Sequence, residues 1–412
     1  MLAVEVYYQK GNLSVIPTHT VETGQTQIPP FRSQLGSLFF LASIFYLNFV
    51  SRIILAPLMP TVEKELHFSH GEAGSLFLVL SLGYFIGLIG SGFISSRFTH
   101  RKTIIISITA VGMTLIATSQ CNSLWTFWAI IVFLGLFAGL YLASGIATLT
   151  AQIDRGHWGK ALAIHELGPT VSFLTAPLIA EGLLNWFSWR GVLTILGVVS
   201  LLLGAAYAKF GKGGDFSGNE PKLETFRVLL KNRGFWIMLF MFGLGIGGTI
   251  GIYTMLPLYL VAEKGLERNW ANMLIAISRI GCPGIVFVAG WSSDRFGTHR
   301  TLFGVFLLTG LATISLGFTD NLWLVISVIL QPLLASCFFP AGFAALSRAV
   351  PAAIQNVAVS FTVPFGFIIG GGLFPMLIGL TGDAEAFVVG IIIVGCFILS
   401  GAFLTRFLPR FG

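Results

Sequence analysis

The sequence predicts an all-α membrane protein in which twelve transmembrane helices form two six-helix bundles. Three observations predict this fold. The chain of 412 residues is 55% hydrophobic, has a mean hydropathy of +0.86 and is only 10% charged, whereas a soluble domain keeps about a quarter of its residues charged. Its apolar residues are gathered in runs of roughly 20 residues, the length that crosses a bilayer as a helix. One long polar stretch divides these runs into two sets of six.

The apolar runs are expected to be helices because hydrocarbon offers the backbone no hydrogen-bonding partner. The first set lies near residues 36–59, 74–95, 103–119, 124–149, 161–184 and 191–208. The second set lies near residues 235–260, 270–290, 301–318, 322–347, 356–380 and 386–407. We therefore predict an N-terminal bundle over residues 34–208 and a C-terminal bundle over residues 235–412.

Two polar segments lie outside the predicted bundles. Residues 1–33 lack the basic start, apolar core and small-residue cleavage site of a signal peptide, and we predict a disordered cytoplasmic tail there. Residues 209–234 are predicted to form a cytoplasmic loop between the bundles, in which "KLETFRVLLKN" has the pattern of an amphipathic helix on the membrane surface.

The positive charges predict the orientation. A cytoplasmic N-terminus places most of the 24 Lys and Arg residues on the cytoplasmic side, as the positive-inside rule requires. We therefore expect both termini in the cytoplasm and the chain in the cell membrane, the inner membrane if the source is bacterial. The net charge of +7 is explained by topology, so nucleic acid is not expected as a partner.

Two related charged segments follow the second predicted span of each set. "GWSSDRFGTHR", residues 290–300, fits the pattern G-x-x-x-D-R-x-G-x-x-R, and we call it the intact motif. "GFISSRFTHRK", residues 92–102, is the degenerate motif, with Ser96 in place of the acid and Thr99 in place of the second glycine. The charged residues of the pattern are Asp294, Arg295 and Arg300 in the intact motif and Arg97 and Arg101 in the degenerate motif.

The number of spans, the central loop and the two placed motifs resemble the major facilitator superfamily. In that family the intact motif lies in the first half, whereas here it lies in the second. The resemblance implies that two bundles rock around a central site. It also implies a gating role for Asp294, Arg295 and Arg300, and for Arg97 and Arg101, as charges that hold one closed state. The simpler interpretation is positive-inside charge alone.

Chemistry of other kinds is not indicated. The sequence has no phosphate-binding loop, metal-ligand spacing or nucleophile elbow, so we expect no enzyme, no ATP-driven pump, no cofactor and no metal. The four cysteines are scattered and are interpreted as small buried hydrophobic residues.

Two arginines lie inside predicted spans, Arg52 in the first and Arg279 in the middle of the eighth. A charge at bilayer depth costs at least about 2.5–3.5 kcal/mol, and neither span contains an acid to neutralise it. The planar guanidinium binds carboxylate, phosphate or sulfonate oxygens in pairs. We predict that both arginines bind an anionic solute. The alternative is a structural arginine bonded to backbone carbonyls.

Other polar residues within the spans are candidates to line the same site. Asn48 lies four residues before Arg52 and therefore on the same helix face. The remaining candidates are Tyr84, Tyr141, Tyr253 and Gln331. Contacts between helices explain these polar residues equally well.

The first span also resembles part of the anion:cation symporter family, which carries organic anions and inorganic phosphate. The shared spacing is that of Arg52, Pro60, Glu65, Leu66 and Ser69. That family commonly has Asp and Asn where this chain has Ser51 and Ile54. The resemblance implies that Arg52 binds an anion.

His165 and Glu166 form a titratable pair near the cytoplasmic start of the fifth span. Histidine titrates near neutral pH, and acids within a membrane often mark proton paths. The pair is therefore a candidate for proton coupling. An inner-gate contact, or an acid stabilised in the first turns of a helix, is the alternative.

We therefore expect a secondary transporter that imports a small organic anion with protons or another cation. The expected surroundings are the lipid bilayer and an anionic solute, and the expected state is a monomer. The alternatives are an exporter of drugs or metabolites and a transporter-like sensor or assembly protein without flux.

Overall fold

The computed structural model describes residues 31–218, 229–350 and 355–408. Within these residues, 12 helical segments are long and apolar enough to cross a membrane, and no strand occurs. The predicted all-α fold is confirmed. The predicted tail falls largely on residues 1–30 and most of "KLETFRVLLKN" on residues 219–228, both of which lie outside the described residues.

The N-terminal bundle contains eight α-helices in six spans, and successive spans run in opposite directions. They are α1 (Phe31–Ile53), α2 (Leu55–Leu66), α3 (His70–Arg97), α4 (His100–Thr118), α5 (Leu124–Gly139), α6 (Tyr141–Gln152), α7 (Trp158–Leu184) and α8 (Trp189–Phe210). Two pairs each make one interrupted span, α1 with α2 and α5 with α6. The first span runs from Phe31 to Leu66 and is longer than its apolar run predicted.

The C-terminal bundle repeats this arrangement. Its helices are α9 (Arg233–Ile246), α10 (Ile252–Ala262), α11 (Arg268–Ser278), α12 (Cys282–Phe296), α13 (Thr298–Phe318), α14 (Asn321–Ser336), α15 (Phe338–Ala349), α16 (Gln355–Gly366), α17 (Phe374–Asp383) and α18 (Phe387–Leu404). Wide π-helical turns at Gly247–Gly251 and Phe367–Leu373 join α9 to α10 and α16 to α17.

The alternation of helix directions places both charged motifs at the same face of the molecule. We call this the motif face and the other the opposite face. The sequence predicts that the motif face is cytoplasmic.

Glycines allow the two π-helical turns to touch. A Cβ atom added at Gly370 would lie 2.2 Å from the backbone nitrogen of Gly247 and 2.4 Å from the carbonyl oxygen of Gly243. Only glycine permits this approach of one backbone to another. The contact holds the seventh and eleventh spans together beside the centre of the molecule.

Two assigned helices end beside the two buried arginines. Helix α1 ends at Ile53, one residue after Arg52. Helix α11 ends at Ser278, and Arg279 is its C-terminal cap before α12 begins at Cys282. Ile54 keeps helical backbone angles, and the backbone hydrogen bonds around Arg279 span three residues, so both spans continue past the arginine.

Candidate functional site

Arg52 is buried in an aromatic cage, with 4% of its surface exposed. Its guanidinium carbon lies 4.2 Å from the ring centroid of Tyr84, 4.6 Å from that of Phe49 and 5.5 Å from that of Phe367. Phe367 belongs to the C-terminal bundle, so the cage is shared by both bundles. Such stacking offsets part of the cost of burying the charge. It leaves the Nε–H of Arg52 without a hydrogen-bond partner in the described residues.

Arg279 has a similar environment in the C-terminal bundle, with 5% of its surface exposed. Its guanidinium carbon lies 4.8 Å from the ring centroid of Phe173 and 5.0 Å from that of Tyr253. One terminal nitrogen donates a long hydrogen bond of 3.4 Å to the carbonyl oxygen of Thr249 in the π-helical turn. Within the described chain, the Nε–H of Arg279 and the hydroxyl of Tyr253 are buried without a partner.

An aromatic pair separates the two guanidinium groups. Phe49 stacks on Arg52 and Phe173 on Arg279, and the two rings meet edge to face with centroids 5.2 Å apart. In the described residues, neither arginine forms an ion pair with an acid. We call the region between the bundles in which Arg52, Phe173 and Tyr253 make these aromatic contacts the central passage.

A small cavity in the central passage reaches Arg52 but not Arg279. Its walls come from both bundles and include the hydroxyl groups of Ser81 and Thr254. The lining residues are Phe49, Arg52, Ile53, Phe77, Leu80, Ser81, Ile250, Thr254, Phe367 and Gly371. The cavity is narrow, with room for little more than a water molecule. A larger solute therefore requires that some of these side chains move.

The other predicted lining residues divide into two groups. Tyr84 and Tyr253 lie against the arginines, as described above. Asn48 instead donates to the carbonyl oxygen of Ala138 at 3.1 Å, and Gln331 donates to that of Gly248 at 2.7 Å. Both amides bridge neighbouring spans, and Gln331 holds the π-helical turn beside Arg279.

Tyr141 lies with His165 rather than with either arginine. Its hydroxyl is 2.7 Å from the carbonyl oxygen of Leu41 and 3.0 Å from Nε2 of His165. The His165 ring is fully buried and stacks on Phe45 with centroids 4.4 Å apart. Phe45 meets Phe49 edge to face, so aromatic contacts connect His165 with the cage of Arg52.

Glu166 faces the central passage on the motif-face side of the arginines. It precedes Phe173 by seven residues, about two helical turns, and therefore shares its face of α7. The Glu166 side chain is 56% exposed. Its carboxylate lies 3.7 Å from Nδ1 of His165, which is too long for a hydrogen bond. The pair is thus close in space but loosely associated.

Comparison with known proteins places this arrangement in a family. The sequence pattern of the Major Facilitator Superfamily matches residues 39–289. The chain belongs to the major facilitator superfamily. The family is one of membrane transporters and transporter-like proteins, and the chain is not an enzyme.

The relatives share the fold over most of their length. The "Probable nitrate/nitrite transporter NarK2" of Mycobacterium tuberculosis is 23% identical over 85% of this chain and 90% of its own. "Membrane sensor protein UhpC" of Escherichia coli is 23% identical over 69% of each chain. A solved bacterial homologue of the human lysosomal transporter Spinster, inward-facing and occupied, has a TM-score of 0.81 at 16% identity, over 93% of this chain and 97% of that one.

The two charged motifs of this major facilitator differ in their surroundings. Asp294, Arg295 and Arg300 of the intact motif are exposed, and the described residues give them no ion pair. In the degenerate motif Arg97 is also exposed. Arg101 instead lies 3.4 Å from Asp215 and donates to the carbonyl oxygen of Ala208 at 3.0 Å. The start of the central loop thus supplies an acid to the motif that lacks one.

A polar network that the sequence did not predict joins the bundles at the opposite face. The Glu181 carboxylate of α7 accepts hydrogen bonds from Arg268 and Asn272 of α11. Asp383 at the end of α17 accepts from the Ser69 hydroxyl at 2.8 Å and the Gly71 N–H at 3.1 Å, at the start of α3. An available signal was Glu181 itself, an acid inside the predicted fifth span.

Proposed function

We propose that this major facilitator imports a small organic anion together with protons or another cation. The proposal depends on two buried arginines, Arg52 and Arg279. Neither forms an ion pair with an acid of the described residues. A buried guanidinium without an acid is costly, and both side chains keep an unused Nε–H donor. An anion that enters the central passage would compensate charge and donors together.

The contacts between the bundles support alternating access. Within the part of the chain that the structure describes, hydrogen bonds join the bundles near the opposite face, at Glu181 and Asp383. At the motif face the charges of the intact motif are exposed to solvent. This is the arrangement expected of a transporter closed at one face, and we infer that the intact motif closes the motif face in the alternate state.

Glu166 and His165 are the proposed coupling residues. Glu166 faces the central passage, and more than half of its side chain is open to solvent. His165 is buried beside it and is connected to Arg52 through Phe45 and Phe49. Protonation of Glu166 would therefore change the electric field in the passage that holds the anion.

A screen of the purified protein tests the proposal. Carboxylates, sulfonates and phosphate esters are added one by one, and the melting temperature is measured. A ligand stabilises the folded state by RT ln(1 + [L]/Kd), about 2.7 kcal/mol at a hundredfold excess over Kd. Stabilisation by at least one anion, lost in Arg52→Ala and retained in the surface variant Arg155→Gln, is expected. Failure of every anion class would contradict the proposal.

Uptake into liposomes then separates import from the second candidate function. A sensor without flux is favoured by one observation, the similarity to "Membrane sensor protein UhpC" over 69% of each chain. The proposal requires that an anion which stabilises the protein also accumulates inside liposomes when a gradient of protons or of another cation is applied. Stabilisation without accumulation or exchange would identify a sensor, and outward accumulation would identify an exporter.

A further inference from the structure

Each bundle contributes one arginine and one tyrosine to the centre of the molecule. In the N-terminal bundle Arg52 of the first span stacks on Tyr84 of the second. In the C-terminal bundle Arg279 of the eighth span stacks on Tyr253 of the seventh. The order of the two residues is reversed between the bundles: the arginine comes first in the N-terminal bundle and the tyrosine comes first in the C-terminal bundle. The two pairs therefore provide similar donors from two directions.

The two guanidinium groups do not converge on one point. Phe49 and Phe173 lie between them in edge-to-face contact. The cavity touches Arg52 only. A compact anion such as nitrate or inorganic phosphate, placed in that cavity, contacts one guanidinium and leaves the other without compensation.

The charge of the site also exceeds one unit. Arg52 and Arg279 are both almost fully buried, and neither has an acidic partner in the described residues. Glu166 faces the same passage, but it forms no ion pair with either guanidinium in the described residues, so the donors of both arginines stay available to a ligand. A monoanion would compensate one buried charge, whereas a dianion would compensate both.

We propose that the substrate is a dianion whose two anionic groups lie at opposite ends of a short spacer, so that each group binds one Arg–Tyr pair. This inference rests on the proposed anion transport and specifies its substrate class. The spacer lies where Phe49 and Phe173 meet, and these two rings rotate aside when it enters. A substrate held at both ends joins the bundles and favours closure around it.

Matched ligands of equal size test the proposal. The probes are the linear dicarboxylates from malonate to adipate, each paired with its own monoamide, which keeps the shape but carries one charge. Dissociation constants are measured with the purified full-length protein by calorimetry. We expect at least one diacid to bind about 10- to 100-fold more tightly than its monoamide, since each charge-assisted contact contributes on this scale.

Variants show whether the preference comes from the two arginines. Arg52→Gln and Arg279→Gln should each bring the ratio of diacid to monoamide affinity close to one. Arg52→Lys and Arg279→Lys keep the charge, so part of the preference should survive with lower affinity. Arg155→Gln removes an exposed charge that lies just before α7 and outside the two Arg–Tyr pairs. This variant should keep the full preference. The variants are compared only if each one elutes from a size-exclusion column as a single folded species.

Two results would overturn the inference and leave anion transport intact. One is that every monoamide binds as tightly as its diacid. The other is that inorganic phosphate or nitrate binds more tightly than any diacid and depends on Arg52 alone. If no carboxylate, sulfonate, phosphate or nitrate binds at all, the proposed transport function itself fails.

Discussion

Glu181 of the N-terminal bundle accepts two hydrogen bonds from Arg268 of the C-terminal bundle, from Nε at 3.0 Å and from a terminal nitrogen at 3.2 Å. Asn272, one helical turn further along α11, donates to the same carboxylate at 2.6 Å. Only 9% of the Glu181 side chain is exposed. The opposite face is thus closed by a forked ion pair that must break when this face opens.

Glu181→Gln should weaken this closure. Removing the charge leaves Arg268 without its partner, and loss of a charge-assisted hydrogen bond costs about 1.5–3 kcal/mol. Because 35% of the Arg268 side chain is exposed, we expect the lower end of that range. A shift of about 1.4 kcal/mol changes a two-state equilibrium tenfold. Maleimide labelling of Ile53→Cys in the cavity, applied from the opposite face, should therefore become faster.

Two controls accompany this measurement. Glu263→Gln removes an exposed acid at the same face and should leave labelling unchanged. The double variant Glu181→Arg with Arg268→Glu restores the ion pair with its charges reversed. It should slow labelling again. Unchanged labelling in Glu181→Gln would show that closure does not depend on the ion pair. Background reaction is low at Cys121, because burial raises the pKa of its thiol, and exposed Cys396 is first changed to Ser.

The fold was largely predictable because membrane spans are encoded locally, as apolar runs of sufficient length. The placement of Arg52 and Arg279 within the first and eighth spans followed from the same runs. Their surroundings did not, because helix rotation decides which side chains meet. Phe173 stacks on Arg279 although more than a hundred residues separate them. The pairing of Glu181 with Arg268 was hidden for the same reason.

The polar candidates show this limit most clearly. Asn48 has the same helix face as Arg52, yet its amide bonds to the backbone of α5. The amide nitrogen of Gln331 donates to Gly248 and Thr313. A sequence shows that a polar side chain lies within a span but not whether a neighbouring helix already satisfies it.

Glycine packing within the N-terminal bundle gives a prediction on stability. A Cβ atom added at Gly87 of α3 would lie 1.9 Å from the carbonyl oxygen of Leu136 in α5, whereas one added at Gly90 would meet nothing within 4 Å. Overpacking of this kind costs about 1–3 kcal/mol. Gly87→Ala should lower the melting temperature, and Gly90→Ala should not. Equal melting temperatures would mean that the two helices separate at little cost.

Arg52→Ala should abolish anion binding, and Arg52→Lys should weaken it. Lysine keeps the charge but lacks the planar fork that binds two oxygens, and it stacks less well between Phe49 and Tyr84. Affinity is measured by calorimetry with the anion that gives the largest thermal stabilisation. Normal affinity in Arg52→Ala would remove Arg52 from the site.

Glu166→Gln should abolish accumulation driven by a pH gradient and preserve exchange. Exchange of internal for external substrate needs no net proton movement, so a residue that acts only in coupling is dispensable for it. Both activities are measured in the same liposomes. Glu263→Gln, which removes an exposed acid outside the central passage, serves as the matched acid control. If accumulation survives in Glu166→Gln, the residue is a gate or cap residue only.

Asp294→Asn should favour the state that is open at the motif face. The intact motif is exposed here while the opposite face is closed, so its charges are free to pair when the motif face closes. Exposed pairs contribute about 0–1 kcal/mol each, and several of them form a measurable latch. Thr170→Cys, on the passage-facing side of α7 between Glu166 and Phe173, should label faster from the motif face in Asp294→Asn.

The degenerate motif provides the opposite test. Ser96→Asp restores the missing acid and should slow labelling of Thr170→Cys. Arg101 is already 3.4 Å from Asp215, so it is only partly available to a new partner. Asp215→Asn releases Arg101, and the effect of Ser96→Asp should therefore be larger in that background. If Asp294→Asn and Ser96→Asp both leave labelling unchanged, the motifs set only the orientation of the chain in the membrane.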